Sequence, residues 1–283
     1  MKLTEWKLGE FSLTWLRGGL TQLDGGAMFG VVPKPLWSKR YPNNELNQIP
    51  LRADPILLQA GGKRILIESG IGKDRLTEKQ KRNFGLQEES EVLESLQAVG
   101  LSPEDIDIVL MTHMHYDHAN GLVSVKDGGQ LSSTFPRAVI YVQEMEWEEM
   151  RNPNIRSRNT YWEENWRPIE QQVQTFGSEL SVIPGVTMHH TGGHSQGHSI
   201  VRMESGGELA LHMADLMPTH AHQNSLWVLA YDDYPMDSIF AKEKWVKQGL
   251  KDGAWFTFYH DAIYHAVKWN EQNELIGQIK VEA

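Results

Sequence analysis

The chain has 283 residues, a formal net charge of -10 at pH 7 and no cysteine. Its acidic balance, with pI near 5.6, disfavours a nucleic-acid partner, which calls for a basic face. Lack of thiols excludes disulfides and thiolate metal sites and leaves oxygen and nitrogen as the only ligand atoms.

Met1-Lys2-Leu3-Thr4-Glu5-Trp6-Lys7 carries no apolar signal-type run, and no later stretch approaches the roughly twenty apolar residues of a spanning helix. A cytoplasmic protein that does not contact membrane is the expectation. Phe11-Ser12-Leu13-Thr14-Trp15-Leu16 alternates as a half-buried strand does. Glycines and prolines then break every periodicity, so residues 17–48 read as a long N-terminal loop of the kind that carries function. Asp54 to Ala60 and Arg64 to Glu68 flank Gly61-Gly62 as the arms of a hairpin.

In residues 86–99, Val92, Leu93, Leu96 and Val99 stand at helical spacing, with Gly100 in the terminating position. Ser102-Pro103-Glu104-Asp105 has the signature of a helix start. The apolar run 106–111 is a buried strand by length and bounds, and it delivers the chain to Thr112-His113-Met114-His115-Tyr116-Asp117-His118. Beyond it, Val139 to Val142 is a further strand and residues 144–176 form a helical insertion, whose Trp147, Tyr161, Trp162, Trp166 and Phe176 are expected to pack as core. Three more strand-like runs end at Gly193-His194-Ser195, at Asp215 and at His260, and residues 261–269 look helical.

Imidazoles and a carboxylate this dense at a strand end need metal or many hydrogen bonds to offset desolvation. The donor set suits zinc or a similar ion, and the alternation of His113 and His115 with Asp117 and His118 offers two clusters, hence two divalent ions with Zn2+ expected. His220 and His222 are spaced like a metal pair but are expected as outer donors or substrate contacts. His198 is expected to support the site, His189, His190 and His212 to be structural, and His265 to be exposed or merely hydrogen-bonded.

The H-x-H-x-D-H run, with His194, Asp215 and His260 in matching contexts, resembles the metallo-β-lactamase superfamily over nearly the whole chain. Asp24-Gly25-Gly26-Ala27-Met28-Phe29-Gly30 and the segment His212 to His220 resemble its YtnP-type N-acyl-homoserine lactone lactonases, which act in quorum quenching. The resemblance implies one α/β domain over 1–283, a four-layer αββα sandwich. It implies His113, His115 and His194 on one ion, Asp117, His118 and His260 on the other, and Asp215 bridging.

The activity implied is hydrolysis of the lactone ring by a hydroxide between the ions, with Asp117 as the catalytic proton relay. Two departures stand out. Glu68-Ser69-Gly70 replaces the superfamily's D-x-G, and Pro218 occupies the place where related lactonases have a tyrosine, so that Tyr231, Tyr116 or Tyr259 must supply a donor. Met28, Phe29, Trp37 and Trp227 are the expected acyl-chain groove. Alternatives are a hydrolase of another ester, a thioester, a β-lactam or an organophosphate, and a non-catalytic signal-binding protein. A homodimer is plausible from family habit.

Overall fold

The computed structural model describes residues 1–282. Two seven-stranded sheets form its centre. In spatial order the first runs Glu5–Leu8, Phe11–Trp15, Ile56–Ala60, Lys63–Ile67, Ile108–Leu110, Val139–Gln143 and Val173–Phe176; the second runs Glu179–Ile183, Val186–His190, Ser199–Ser205, Glu208–His212, Trp255–Thr257, Tyr264–Trp269 and Leu275–Lys280. The first half of the chain thus builds one sheet and the second half the other.

Side chains alternate across each strand, which is how one sheet fills two cores. Ile56, Leu58, Ile65 and Ile67 turn inward against Val186, Met188, Val201 and Met203 of the second sheet, while Leu57 and Leu66 turn outward against Val92 and Leu96 of the helix Val92–Ala98. On the far side, Leu211, Phe256 and Val267 pack with Val246 of the helix Pro235–Lys251. The architecture is therefore the expected α/β sandwich of helix, sheet, sheet and helix. No helix among the described residues is long and apolar enough to cross a membrane.

The strands that matter most are parallel: Lys63–Ile67 with Ile108–Leu110, and Glu208–His212 with Trp255–Thr257. Parallel neighbours end on the same side, so the segments that follow them, 68–72, 112–118, 213–217 and 258–261, gather at one rim. The loop 191–198 joins them from the turn between Val186–His190 and Ser199–Ser205.

Four local expectations are corrected. Residues 17–48 are not a loop: Leu20–Asp24 pairs with Gln48–Arg52, and helices Gly25–Phe29 and Lys34–Trp37 lie between. Gly25 serves packing, since a Cβ there would stand 2.4 Å from the Trp37 ring, and Asp24 caps the first helix by accepting from the Ala27 amide at 2.8 Å. Residues 86–91 are not helical, because the amide of Leu20 donates to the Glu88 carbonyl and that of Gln87 to the Leu20 carbonyl. Of the insertion 144–176, the helical pieces are Glu144–Arg151, the single turn Glu163–Trp166 and the 3-10 segments Ser157–Asn159 and Arg167–Gln172, and Val173–Phe176 is an edge strand parallel to Val139–Gln143. Finally, 261–269 holds the strand Tyr264–Trp269, and His265 is buried, its ring stacked on Trp15 at 4.8 Å.

Burial, reinforced by the Arg52 guanidinium, pushes the His265 imidazole down to about 3. A base whose folded value lies below its unfolded value of about 6.5 adds stability above the latter and loses it as pH falls toward the former. The urea midpoint should fall on going from about pH 7 to about pH 4, and His265→Phe should make the decline shallower. An unchanged slope in that variant would mean that His265 is not held neutral.

Candidate metal centre

His113 and His115 lie in the extended segment that leaves Ile108–Leu110, whereas Asp117 and His118 belong to the single turn of helix Tyr116–Ala119. The change of backbone between them turns one run of residues into two groups. His194 is carried by Gly193, whose φ of +96° and 2.6 Å approach of a hypothetical Cβ to Ser238 leave no room for another side chain. Asp215 follows Ala214, a non-glycine residue at φ 44°, a sparsely populated conformation that costs about 1–3 kcal/mol. His260 follows the strand Trp255–Thr257.

The two groups are His113 with His115 and His194, and Asp117 with His118 and His260, the potential ligand atoms of each lying within 4.8 Å of one another. Asp215 stands between them. Its Oδ2 is 3.3 Å from His194 Nε2 and 4.0 Å from His113 Nε2, while its Oδ1 is 3.2 Å from His260 Nε2 and 3.4 Å from His118 Nε2. Asp117 Oδ2 is 3.5 Å from His260 Nε2 and 3.9 Å from His118 Nε2. The sequence-predicted set of seven is thus brought together.

A second ring of contacts decides which nitrogens face inward. His194 Nδ1 is 2.8 Å from Asp232 Oδ1, His260 Nδ1 is 2.6 Å from the Arg52 carbonyl, and His118 Nδ1 is 3.4 Å from Glu68 Oε2. The Thr112 hydroxyl donates to Glu68, so at 3.0 Å it accepts from His113 Nδ1. In His113, His194 and His260 the Nδ1 proton is committed outward and Nε2 points to the centre, whereas His118 turns Nδ1 toward Glu68 without a hydrogen bond. His194 Nε2 also lies 3.0 Å from His115 Nδ1, and His118 Nε2 lies 3.2 Å from His260 Nε2.

Converging lone pairs repel unless a proton or cation lies between them. His113 Nε2 and Asp215 Oδ1 are buried without a hydrogen-bond partner among the described residues, a costly arrangement that a divalent ion removes. The donor set therefore fits a metal centre. A third grouping, Glu68 with His113 and His118, is also close enough to hold an ion, but Glu68 is fully buried, accepts from the Thr112 hydroxyl and faces His118 Nδ1 at 3.4 Å. It orients them, so the departure from D-x-G keeps a carboxylate in a supporting place.

Electrostatics divides the histidines differently, setting His194 with His118 and His260 because all three face Asp215. Burial first, then the positive neighbours, holds His113 and His115 well below the ordinary imidazole value, so both are neutral donors. Burial also opposes protonation of His118, His194 and His260, yet the Asp215 carboxylate, with Glu68 and Asp117 beside His118 and Asp232 beside His194, raises all three. Asp215 itself is lowered, because His260, His118 and His194 outweigh its burial.

A cleft of about 480 Å³ opens onto Asp117, Asp215, His115, His194 and His260. Met28, Tyr116 and Tyr231 line it, as do Leu23, Leu51, Phe84 and Arg156, which have no sequence signal because they lie on four separate segments. Phe29 and Trp37 do not. They are buried core, stacked on each other at 4.8 Å, with the His222 ring on the other contact of Phe29 at 4.4 Å. Trp227 meets Phe29 edge-on and lies under the Arg40 guanidinium.

His222 spans Thr219 Oγ1 and the Met28 carbonyl, and His220 pairs with Asp261. His198, buried, bonds Thr191, and His212 is buried at its strand end against Thr257. Of the three candidate tyrosines, Tyr259 is engaged, donating to the Asp117 carbonyl at 2.6 Å, whereas the phenols of Tyr116 and Tyr231 have no partner among the described residues.

The chain belongs to the metallo-beta-lactamase superfamily, whose family model matches residues 50–255. Among solved structures it is similar to a probable metal-dependent hydrolase from Staphylococcus aureus, at 48% identity and a TM-score of 0.94 over 98% of this chain and 99% of that one. The N-acyl homoserine lactonase AiiA of Bacillus thuringiensis subsp. kurstaki is 29% identical over 126 residues; the match spans 44% of this chain and 44% of that relative, less than half its length. AidC, a dizinc quorum-quenching lactonase solved with a product, shares the fold at a TM-score of 0.79 and 18% identity, over 99% of this chain and 97% of AidC.

Because Trp37 is 1% exposed, Trp37→Ala should cost about 3–5 kcal/mol of stability in chemical denaturation. A loss below about 1 kcal/mol would show that the ring does not pack as core.

Proposed function

We propose that this protein is a dinuclear metal-dependent hydrolase that opens the ring of N-acyl-homoserine lactones. The observation that carries the reading is the Asp215 carboxylate, one oxygen toward each histidine group, an arrangement suited to a bridging ligand. His113, His115 and His194 would hold one ion, and Asp117, His118 and His260 the other. Nitrogen and carboxylate donors without thiolate suit Zn2+. Bound there, two divalent ions supply Lewis acidity for the lactone carbonyl and lower the pKa of water to around 7.

The chain's own residues supply the remaining chemistry. As the oxygen of water bonds to the lactone carbon and the ring C–O bond breaks, Asp117, on the cleft wall beside His260, carries the released proton to the departing alkoxide. Tyr116 and Tyr231 also line the cleft. Burial first, then Asp117 for Tyr116 and Asp24 and Asp117 for Tyr231, raises both phenols, so they remain donors. One such donor to a carbonyl oxygen is worth about 3 kcal/mol where it acts on the transition state. They take the part left open by Pro218.

Leu23, Met28, Leu51 and Phe84 form the apolar wall of the cleft, and this wall is the place for an acyl chain, at about 0.8 kcal/mol per buried methylene. The likeness to the Bacillus lactonase and to AidC supports the same substrate class.

Zinc-loaded protein should release acid from an N-acyl-homoserine lactone, followed in a pH-stat, and His115→Ala should lower kcat/KM by at least about a hundredfold. Met28→Ala should reduce the preference for long over short acyl chains. Undiminished turnover in His115→Ala, or turnover of thioesters and β-lactams but not lactones, would contradict the reading.

A further inference from the structure

Four of the five clustered histidines have a polar group behind the ring, namely Thr112, Glu68, Asp232 and the Arg52 carbonyl. His115 has none among the described residues; its one ring contact of that kind is His194 across the centre. The ring of Tyr161 packs on the His115 ring, 5.1 Å between centroids. Tyr161 is 5% exposed and its hydroxyl donates at 2.8 Å to Glu146.

Glu146 is a fully buried carboxylate on the helix Glu144–Arg151, outside the cleft. Its Oε1 also accepts from the Met114 amide at 2.8 Å, between His113 and His115 in sequence, and its Oε2 accepts from the Ser195 hydroxyl at 2.5 Å, next to His194. The loop bearing His194 lies directly on this helix, since a Cβ on Gly197 would stand 2.1 Å from the Glu146 nitrogen. One turn on, Glu149 accepts from the Gln196 amide at 3.1 Å and from Asn154 at 2.7 Å. A buried carboxylate needs several donors to remain tolerable, and Glu146 draws two of its three donors, Met114 and Ser195, from the segments that carry these histidines, and the third from Tyr161.

We propose that Glu146 is a positioning residue: through Tyr161 and Met114 it fixes the His115 imidazole, and through Ser195 the loop of His194, so that His113, His115 and His194 stand ready for one ion. The inference rests on the metal centre proposed above and adds a residue that never touches the ion or the substrate. Where Asp232 orients His194 by a hydrogen bond, Tyr161, tied down by Glu146, orients His115 by ring packing. Outer contacts of this kind commonly govern metal affinity by 10–100-fold.

The test is zinc affinity, measured by competition with a chromophoric chelator, together with the absorption spectrum of the cobalt-substituted protein. Glu146→Gln keeps the shape but presents an amide N–H where Ser195 now donates; Tyr161→Phe removes one hydroxyl and keeps the ring, and it carries the test should Glu146→Gln not fold. Each variant is expected to weaken the tighter-buffered site by roughly tenfold or more and to shift the cobalt bands. Variants with wild-type zinc affinity and an unshifted spectrum would overturn the brace while leaving the centre intact. Wild-type protein that takes up no zinc would overturn the centre, and the brace with it.

Discussion

The structure turns on a single carboxylate. Asp215 sits between two sets of imidazoles with one oxygen 3.3 Å from His194 and the other 3.2 Å from His260. Its charge keeps three histidines above their ordinary values and is itself held in the charged form by them. The strained backbone at Ala214 and the parallel pairing of Glu208–His212 with Trp255–Thr257 exist around that placement. Both sheets contribute: the first brings His113 to His118, and the second brings His194, Asp215 and His260.

Much of this was legible because it is local. An apolar run of strand length followed by a dense cluster of donors identifies a strand end and a centre, and three other runs ending in His194, Asp215 and His260 repeat the pattern. The helix Val92–Ala98 and the hairpin around Gly61-Gly62 follow from spacing and turn chemistry. What failed depends on partners far away in sequence. Leu20 pairing with Glu88 converts an apparent helix start to extended chain, and Gln48–Arg52 converts an apparent loop to a strand. Asp261 to Trp269 has apolar residues that satisfy a helical period, but strands on both sides claim it.

The outer contacts were the least legible part of the site. Asp232, Glu146 and Tyr161 lie on segments without any pattern of their own, and their importance appears only when their partners are known. The groove shows the converse error. Phe29 and Trp37 are aromatic, near glycines and close to the site in sequence, yet they face the cluster with Tyr41 and Leu229. The neighbouring Met28 belongs to the same cluster but also reaches the cleft, beside Leu51 and Phe84. A single step along the helix, about 100° of rotation, separates the side chain that reaches the cleft from one that does not.

A dinuclear centre requires two cations astride Asp215. Anomalous diffraction from crystals of the zinc-loaded protein measures that directly. Two peaks are expected, about 3.5–4 Å apart, one beside His113, His115 and His194 and the other beside Asp117, His118 and His260. A single peak, or metal bound away from Asp215, would contradict it.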